Sequence, residues 1–394
     1  MGRGRDAAAA APFAEGARPV QRRGVVYDSG TVLSGLLWHV DSRPRLDLAV
    51  AHRELQIIRD DLHCNAVRMT GSHLDRLAAV AEIGLGLGLE VWYSPTIWER
   101  PAEQTLQALL SAAAAAETLR RRHPDRVTFI LGTELTLFMR GIVPGRSIEE
   151  RFGTPTARER LKAGTHNGPL NAFLGRAAAA ARAVFGGPLT HASLAFEAVD
   201  WAPFDIVGID HYRDARIKDR YVQMLQPLLA TGKPVAVTEF GMRTYRGADS
   251  SGALGFGVLE QRTVVLHHLR LIGRLFRVRL KGAYIRDEGL QARELVETLR
   301  ILDGAGIDGA FVSSFVDGWS SKYSEDPLYD LDMSGMGLVK TFARGHGTTY
   351  PDMPWEPKEA FRAVAAHYGG EEGSGAEPGG TPEAGAGPRA GQGG

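Results

Sequence analysis

Two glutamates end short runs of β-branched and apolar residues: Glu134 closes Val127–Glu134, and Glu239 lies near the end of Pro234–Gly241. Runs of that kind read as buried parallel strands, and folds built on such strands place their sites at the strands' carboxyl ends. Two carboxyl groups so placed suit glycosidic cleavage. One protonates the leaving oxygen, and the other attacks the anomeric carbon or activates water. A glutamate after a strand also commonly serves as a helix N-terminal charge or an ion-pair partner, so the elements that hold the two must be found first.

Strand-like segments occur at 24–28, 65–71, 89–95, 127–134, 188–195, 204–212, 234–241 and 309–319. Between most of them lie stretches with helical apolar spacing, at 47–62, 74–87, 102–123, 170–185, 218–230 and 290–304. Turn signals such as Gly186-Gly187-Pro188 and Gly232-Lys233-Pro234 stand just ahead of strands. Eight β-α alternations predict a single (β/α)8 barrel over 23–368 with inserted βα loops; no dinucleotide-type glycine fingerprint follows the first strand. The segments 137–169 and 242–257 follow the two glutamates closely and should overhang the catalytic face, as lids or as inert insertions. Residues 355–368 read as a closing helix with Pro357 in its first turn, and 337–342 as an extra strand or a loop.

The 394 residues are 44% hydrophobic and 23% charged, enough for a barrel-sized core. Lys plus Arg and Asp plus Glu both number 46, so net charge makes no case for a nucleic-acid or membrane partner, although local patches stay open. The expected partner is a carbohydrate substrate, with no cofactor and no metal; oligomeric state is unreadable. Residues 1–22 form a flexible lead-in without the apolar stretch of a signal peptide, which implies a cytoplasmic protein, and 369–394 are a disordered Gly/Pro/Glu-rich tail. The one cysteine, Cys64, reads as a buried small hydrophobe.

Other side chains could join the site. Trp92, Tyr93 and Trp98 lie near the end of the third strand and could form a stacking platform for a pyranose, or simply pack. Asp28, His191, Asp210, His211 and Asp317 fall near strand ends and admit a rival, a metal-dependent barrel hydrolase. That rival lacks a His-x-His pair on the first strand and leaves the glutamates unexplained.

The order of strand-end residues resembles the clan A (β/α)8 retaining glycoside hydrolases, whose acid/base closes strand four and whose nucleophile closes strand seven. Asn65-Ala66-Val67-Arg68, Ile209-Asp210-His211-Tyr212, Lys233-Pro234-Val235 leading into Thr238-Glu239-Phe240-Gly241, and Trp319 on strand eight extend the likeness along most of the folded chain. The resemblance implies a retaining double displacement, with Glu134 as acid/base and Glu239 as nucleophile. It further implies Arg68 and Tyr212 as supports of the nucleophile, Trp319 under the sugar and Thr133 near a sugar hydroxyl; from their strand-end positions His211, Asp28 and Trp92 join these as candidates for substrate binding or support. The clan usually has Asn before its acid/base; Thr133 stands there, in a Gly-Thr-Glu-Leu form similar to an endo-β-mannanase-like subset. This departure admits a barrel that binds carbohydrate or a partner without turnover. A general likeness to actinobacterial chains labelled abortive infection proteins points to a phage-defence role, though no residue explains that label.

Overall fold

The computed structural model describes residues 19–34, 39–269, 271–318 and 321–370. Trp319, most of the expected lead-in and almost all of the expected tail lie outside the described residues. Eight parallel strands close on themselves in sequence order: β1 (Arg22–Asp28), β2 (Ala66–Gly71), β3 (Glu90–Pro95), β4 (Val127–Thr133), β5 (Leu189–Leu194), β6 (Val207–Asp210), β7 (Val235–Phe240) and β8 (Gly309–Val312). Closure is by pairing of β1 with β8, Arg22 opposite Gly309. Each strand is too apolar to face water on either side, and the barrel buries both faces.

The main outer helices are α1 (Leu48–Asp60), α2 (Leu74–Gly86), α3 (Ala102–Arg122), α4 (Asn167–Arg182), α5 (Tyr221–Leu229), α6 (Glu288–Gly304) and α7 (Glu359–Gly369). Asp47 starts α1 by accepting from the Ala49 and Val50 amides, which relieves two of the helix's unpaired donors. No helix joins β5 to β6. The 195–206 connection is instead held by Lys233, whose ammonium donates to the Trp201 (2.6 Å), Ala202 (3.2 Å) and Phe204 carbonyls.

Val26, Ala66, Trp92, Ile130, Ala192, Ile206, Ala236 and Phe311 fill the barrel interior, with Trp92 and Phe311 ring centroids 4.7 Å apart. A larger apolar layer lies between strands and helices, and Cys64 is buried in it, its thiol pKa pushed up by desolvation. The expectation for 355–368 is corrected at its start. Trp355–Pro357 is extended and pairs antiparallel with Val339–Thr341, and the helix begins only at Glu359. Among the described residues no helix is long and apolar enough to cross a membrane.

Candidate active site

The site is organised around Arg68 on β2. Its guanidinium is almost fully buried and donates through Nη1 to Asp210 Oδ1 (2.8 Å), the Thr238 carbonyl (3.0 Å) and Glu239 Oε2 (3.3 Å), and through Nη2 to Thr133 Oγ1 (3.0 Å). Burial alone would pull the Arg68 pKa down. The carboxylates of Asp210 and Glu239 more than offset this, and the cation is retained. Arg68 thus ties β2, β4, β6 and β7 together at one end of the barrel. Asp210 also accepts from the Thr238 hydroxyl at 2.6 Å, yet desolvation still lifts it to about 6.

Glu239 owes its placement to a break in strand register. Ile209 pairs with Val237 but Asp210 pairs with Glu239, so β7 carries one extra residue there, and a bulge re-aims the side chains beyond it. The carboxylate keeps 23% of its side-chain surface open to solvent. One oxygen takes the Arg68 bond and the other accepts from the Tyr212 hydroxyl. Burial and the neighbouring Glu239 charge raise the Tyr212 pKa far above its ordinary value, so the phenol remains a donor. Glu239 thus receives a cation on one oxygen and a hydroxyl on the other, two charge-assisted bonds that fix the carboxyl group in place.

Glu134 is placed by a similar device. Register between β4 and β5 shifts between Ile130 and Thr133, and the chain then turns through Gly132 (φ +84°) and Glu134 itself (φ +48°). A Cβ at Gly132 would meet the Leu135 side chain at 2.9 Å, so this turn needs glycine. The Glu134 amide is fixed to the Ala192 carbonyl at 2.8 Å, and its own carbonyl accepts from Leu137 and Phe138. Its carboxyl pKa is driven well above the ordinary value, first by desolvation and then by the charges of Asp210, Glu239 and Glu197, with Arg68 opposing. The two glutamates therefore sit in different surroundings, Glu134 desolvated and Glu239 partly open to solvent and bonded by Arg68 and Tyr212.

Glu197 was not anticipated as part of this arrangement. Burial pushes its pKa up, but His191 and the amides of Thr136 (3.0 Å) and Leu194 (2.7 Å) bring it below the ordinary value. It stands as a fixed negative charge near Glu134. His191 belongs to this support: its Nδ1 contacts the Gly132 carbonyl at 2.9 Å and its Nε2 lies 3.6 Å from Glu197. Nothing in the spacing of Leu194 to Glu197 marks the residue, because two of its partners are backbone amides and the third, His191, faces it only once β5 and the following turn are folded.

The other expected contacts divide. Thr133 is at the site, but its hydroxyl is engaged by Arg68 and lies 3.5 Å from that of Ser94. Trp92 is corrected: it is fully buried in the barrel interior and donates to Glu90, so it offers no face to a sugar. Tyr93 is equally buried, while Trp98 remains partly exposed and stacks on Phe138 at 4.4 Å. His211 is corrected as well, since its buried ring stacks on Tyr221 at 4.2 Å and desolvation lowers its pKa to about 4. Asp28 accepts from Thr31 (2.8 Å), Gly30 (3.2 Å) and Ser42, organising the loop after β1. Among the described residues no three His, Cys, Asp or Glu side chains are grouped to hold a metal ion.

No protein-family model and no curated protein sequence matches the chain. Solved structures do. A family GH113 β-1,4-mannanase superposes with a TM-score of 0.52 at 15% identity, over 89% of this chain and 99% of that one. The GH113 β-mannanase of Alicyclobacillus acidocaldarius gives a TM-score of 0.52 at 15% identity, over 89% and 98%. The β-glucuronidase of Ruminococcus gnavus gives 0.51 at 13% identity, over 89% of this chain and 50% of the longer enzyme. The likeness is one of fold, a closed (β/α)8 barrel shared with these glycosidases, and the abortive-infection likeness gains no support from these structures.

Proposed function

We propose that the protein is a retaining glycoside hydrolase acting on a β-linked, mannan-type carbohydrate. The observation that carries this reading is the asymmetry of the two glutamates: Glu239 is partly open to solvent and bonded by Arg68 and Tyr212, while Glu134 is buried with its pKa raised by desolvation and neighbouring charge. Glu134 gives its proton to the glycosidic oxygen as that oxygen leaves, and a Glu239 oxygen bonds to the anomeric carbon in its place. Water then attacks the glycosyl-enzyme, losing a proton to Glu134 as the bond to Glu239 breaks, which restores both groups. Trp98, partly exposed just after β3 with its ring stacked on Phe138, is the candidate for a sugar-stacking face in this reading.

The glycosidase neighbours support the fold for this chemistry and suggest mannans as first substrates. The test is a panel of aryl β-glycosides and mannan oligosaccharides, with Glu239→Ala and Glu134→Gln as controls. Retention is read from the anomer first formed in an NMR time course. Wild-type rates no higher than those of both variants would sink the proposal. Oligosaccharide binding at such a rate would favour a second reading, sugar binding without turnover, to which the engagement of the Thr133 hydroxyl by Arg68 lends weight.

A further inference from the structure

The zero net charge of the chain conceals a polarised segment. Between 261 and 286 there are seven Arg or Lys residues and no Asp or Glu; Arg279 is paired with Glu260 (2.5 Å) and Arg286 with Asp332 (2.6 Å), which leaves Arg262, Arg277 and Lys281 as the exposed cations among the segment's described side chains. These residues belong to the long connection after β7, and the Leu259–Leu280 bridge closes part of the connection into a loop. The same segment carries much of the exposed large apolar surface among the described residues: Leu271 is 97% exposed, Leu275 80%, Val265 58% and Ile272 45%. Arg262, Arg277 and Lys281 are exposed among them.

We propose that this loop is a docking surface for an anionic lipid bilayer. Two observations select that occupant. The exposed cations Arg262, Arg277 and Lys281 favour a negatively charged partner, and a second copy meeting the patch face to face would set cation against cation. The leucines narrow it further, since a hydrated polyanion gives an isobutyl group nothing to bury against. A bilayer supplies an anionic plane with hydrocarbon just beneath it. The loop leaves the end of β7 that bears Glu239, so the barrel's open end would face the membrane. This revises the expectation of no membrane partner drawn from net charge.

Sedimentation of the full chain with vesicles tests it, independently of any catalytic activity. The expected result is co-sedimentation with vesicles of equal parts phosphatidylcholine and phosphatidylglycerol, weakened by added salt, and none with phosphatidylcholine alone. The L271E/L275E variant should bind about tenfold less, and the R262E/K281E variant likewise, each with an unchanged melting temperature. Absence of binding, binding indifferent to both variants, or equal binding to neutral vesicles overturns the proposal. So does a dimer in light scattering that L271E/L275E dissolves, or tight binding of soluble polygalacturonate that L271E/L275E leaves intact.

Discussion

Replacing Arg68 with methionine should destabilise the protein in a manner that depends on pH, because the lost cation leaves Asp210 without its main partner. Both side chains are essentially inaccessible, and breaking one member out of a buried pair costs ~3–5 kcal/mol. Asp210 already titrates at about 6 rather than 3.8. Between those values the folded protein holds a proton that the unfolded chain has released, so this group removes stability as pH rises through the window, by ~3 kcal/mol in all. Without Arg68 the Asp210 pKa climbs further and the loss extends upward in pH. The deficit of Arg68→Met should therefore be largest near pH ~8 and shrink to ~1 kcal/mol near pH ~5, leaving mainly the bonds to Thr133 and the Thr238 carbonyl. Denaturant unfolding of Arg68→Met, Asp210→Asn and the double variant at both pH values measures this. The double variant should recover most of the stability at the higher pH. It should not recover the proposed glycosidase activity, because Glu239 still lacks its cation. A deficit that is the same at both pH values, or that Asp210→Asn does not relieve, would refute the reasoning.

Tyr212→Phe removes one donor from Glu239 and should lower kcat/KM by about 10–100-fold with little change in melting temperature, as steady-state kinetics and calorimetry would show. Activity should fall as pH rises through the elevated pKa of Glu134, since only its protonated form donates; Glu134→Gln should lack that alkaline limb in a pH–rate profile. Trp98→Ala should raise KM for oligosaccharides while leaving unfolding nearly unchanged. Trp92→Ala should do the reverse, costing ~3–5 kcal/mol in denaturant unfolding because it empties the barrel interior.

The barrel was legible because its strands are unmistakable apolar runs and its helices carry a regular apolar stripe. The two glutamates were legible because each ends such a run. Trp92 was misplaced by proximity: it lies three residues before the end of β3, and strand alternation sends it inward, below the level of the mouth. His211 follows the last residue of β6, where orientation depends on the register break beside Asp210, and nothing in the local pattern announces a break. Glu197 escaped notice because its partners, the amides of Thr136 and Leu194 and the ring of His191, come together only when the turns after β4 and β5 are folded side by side. The strand at Trp355–Pro357 was hidden by a proline that suits the start of a helix equally well, and only its long-range partner at Val339–Thr341 decides the matter.

The left-handed backbone at Glu134 has a consequence for lineages as well as for this molecule. A non-glycine residue there carries strain on the order of 1 kcal/mol or more, and its crowded carboxyl adds to the burden. Glycine or asparagine would relieve the strain, so drift alone would carry the position away from glutamate once its carboxyl ceased to matter. Descendants in which the proposed chemistry had been abandoned should thus be free to replace the glutamate at this position. The present chain still has its glutamate.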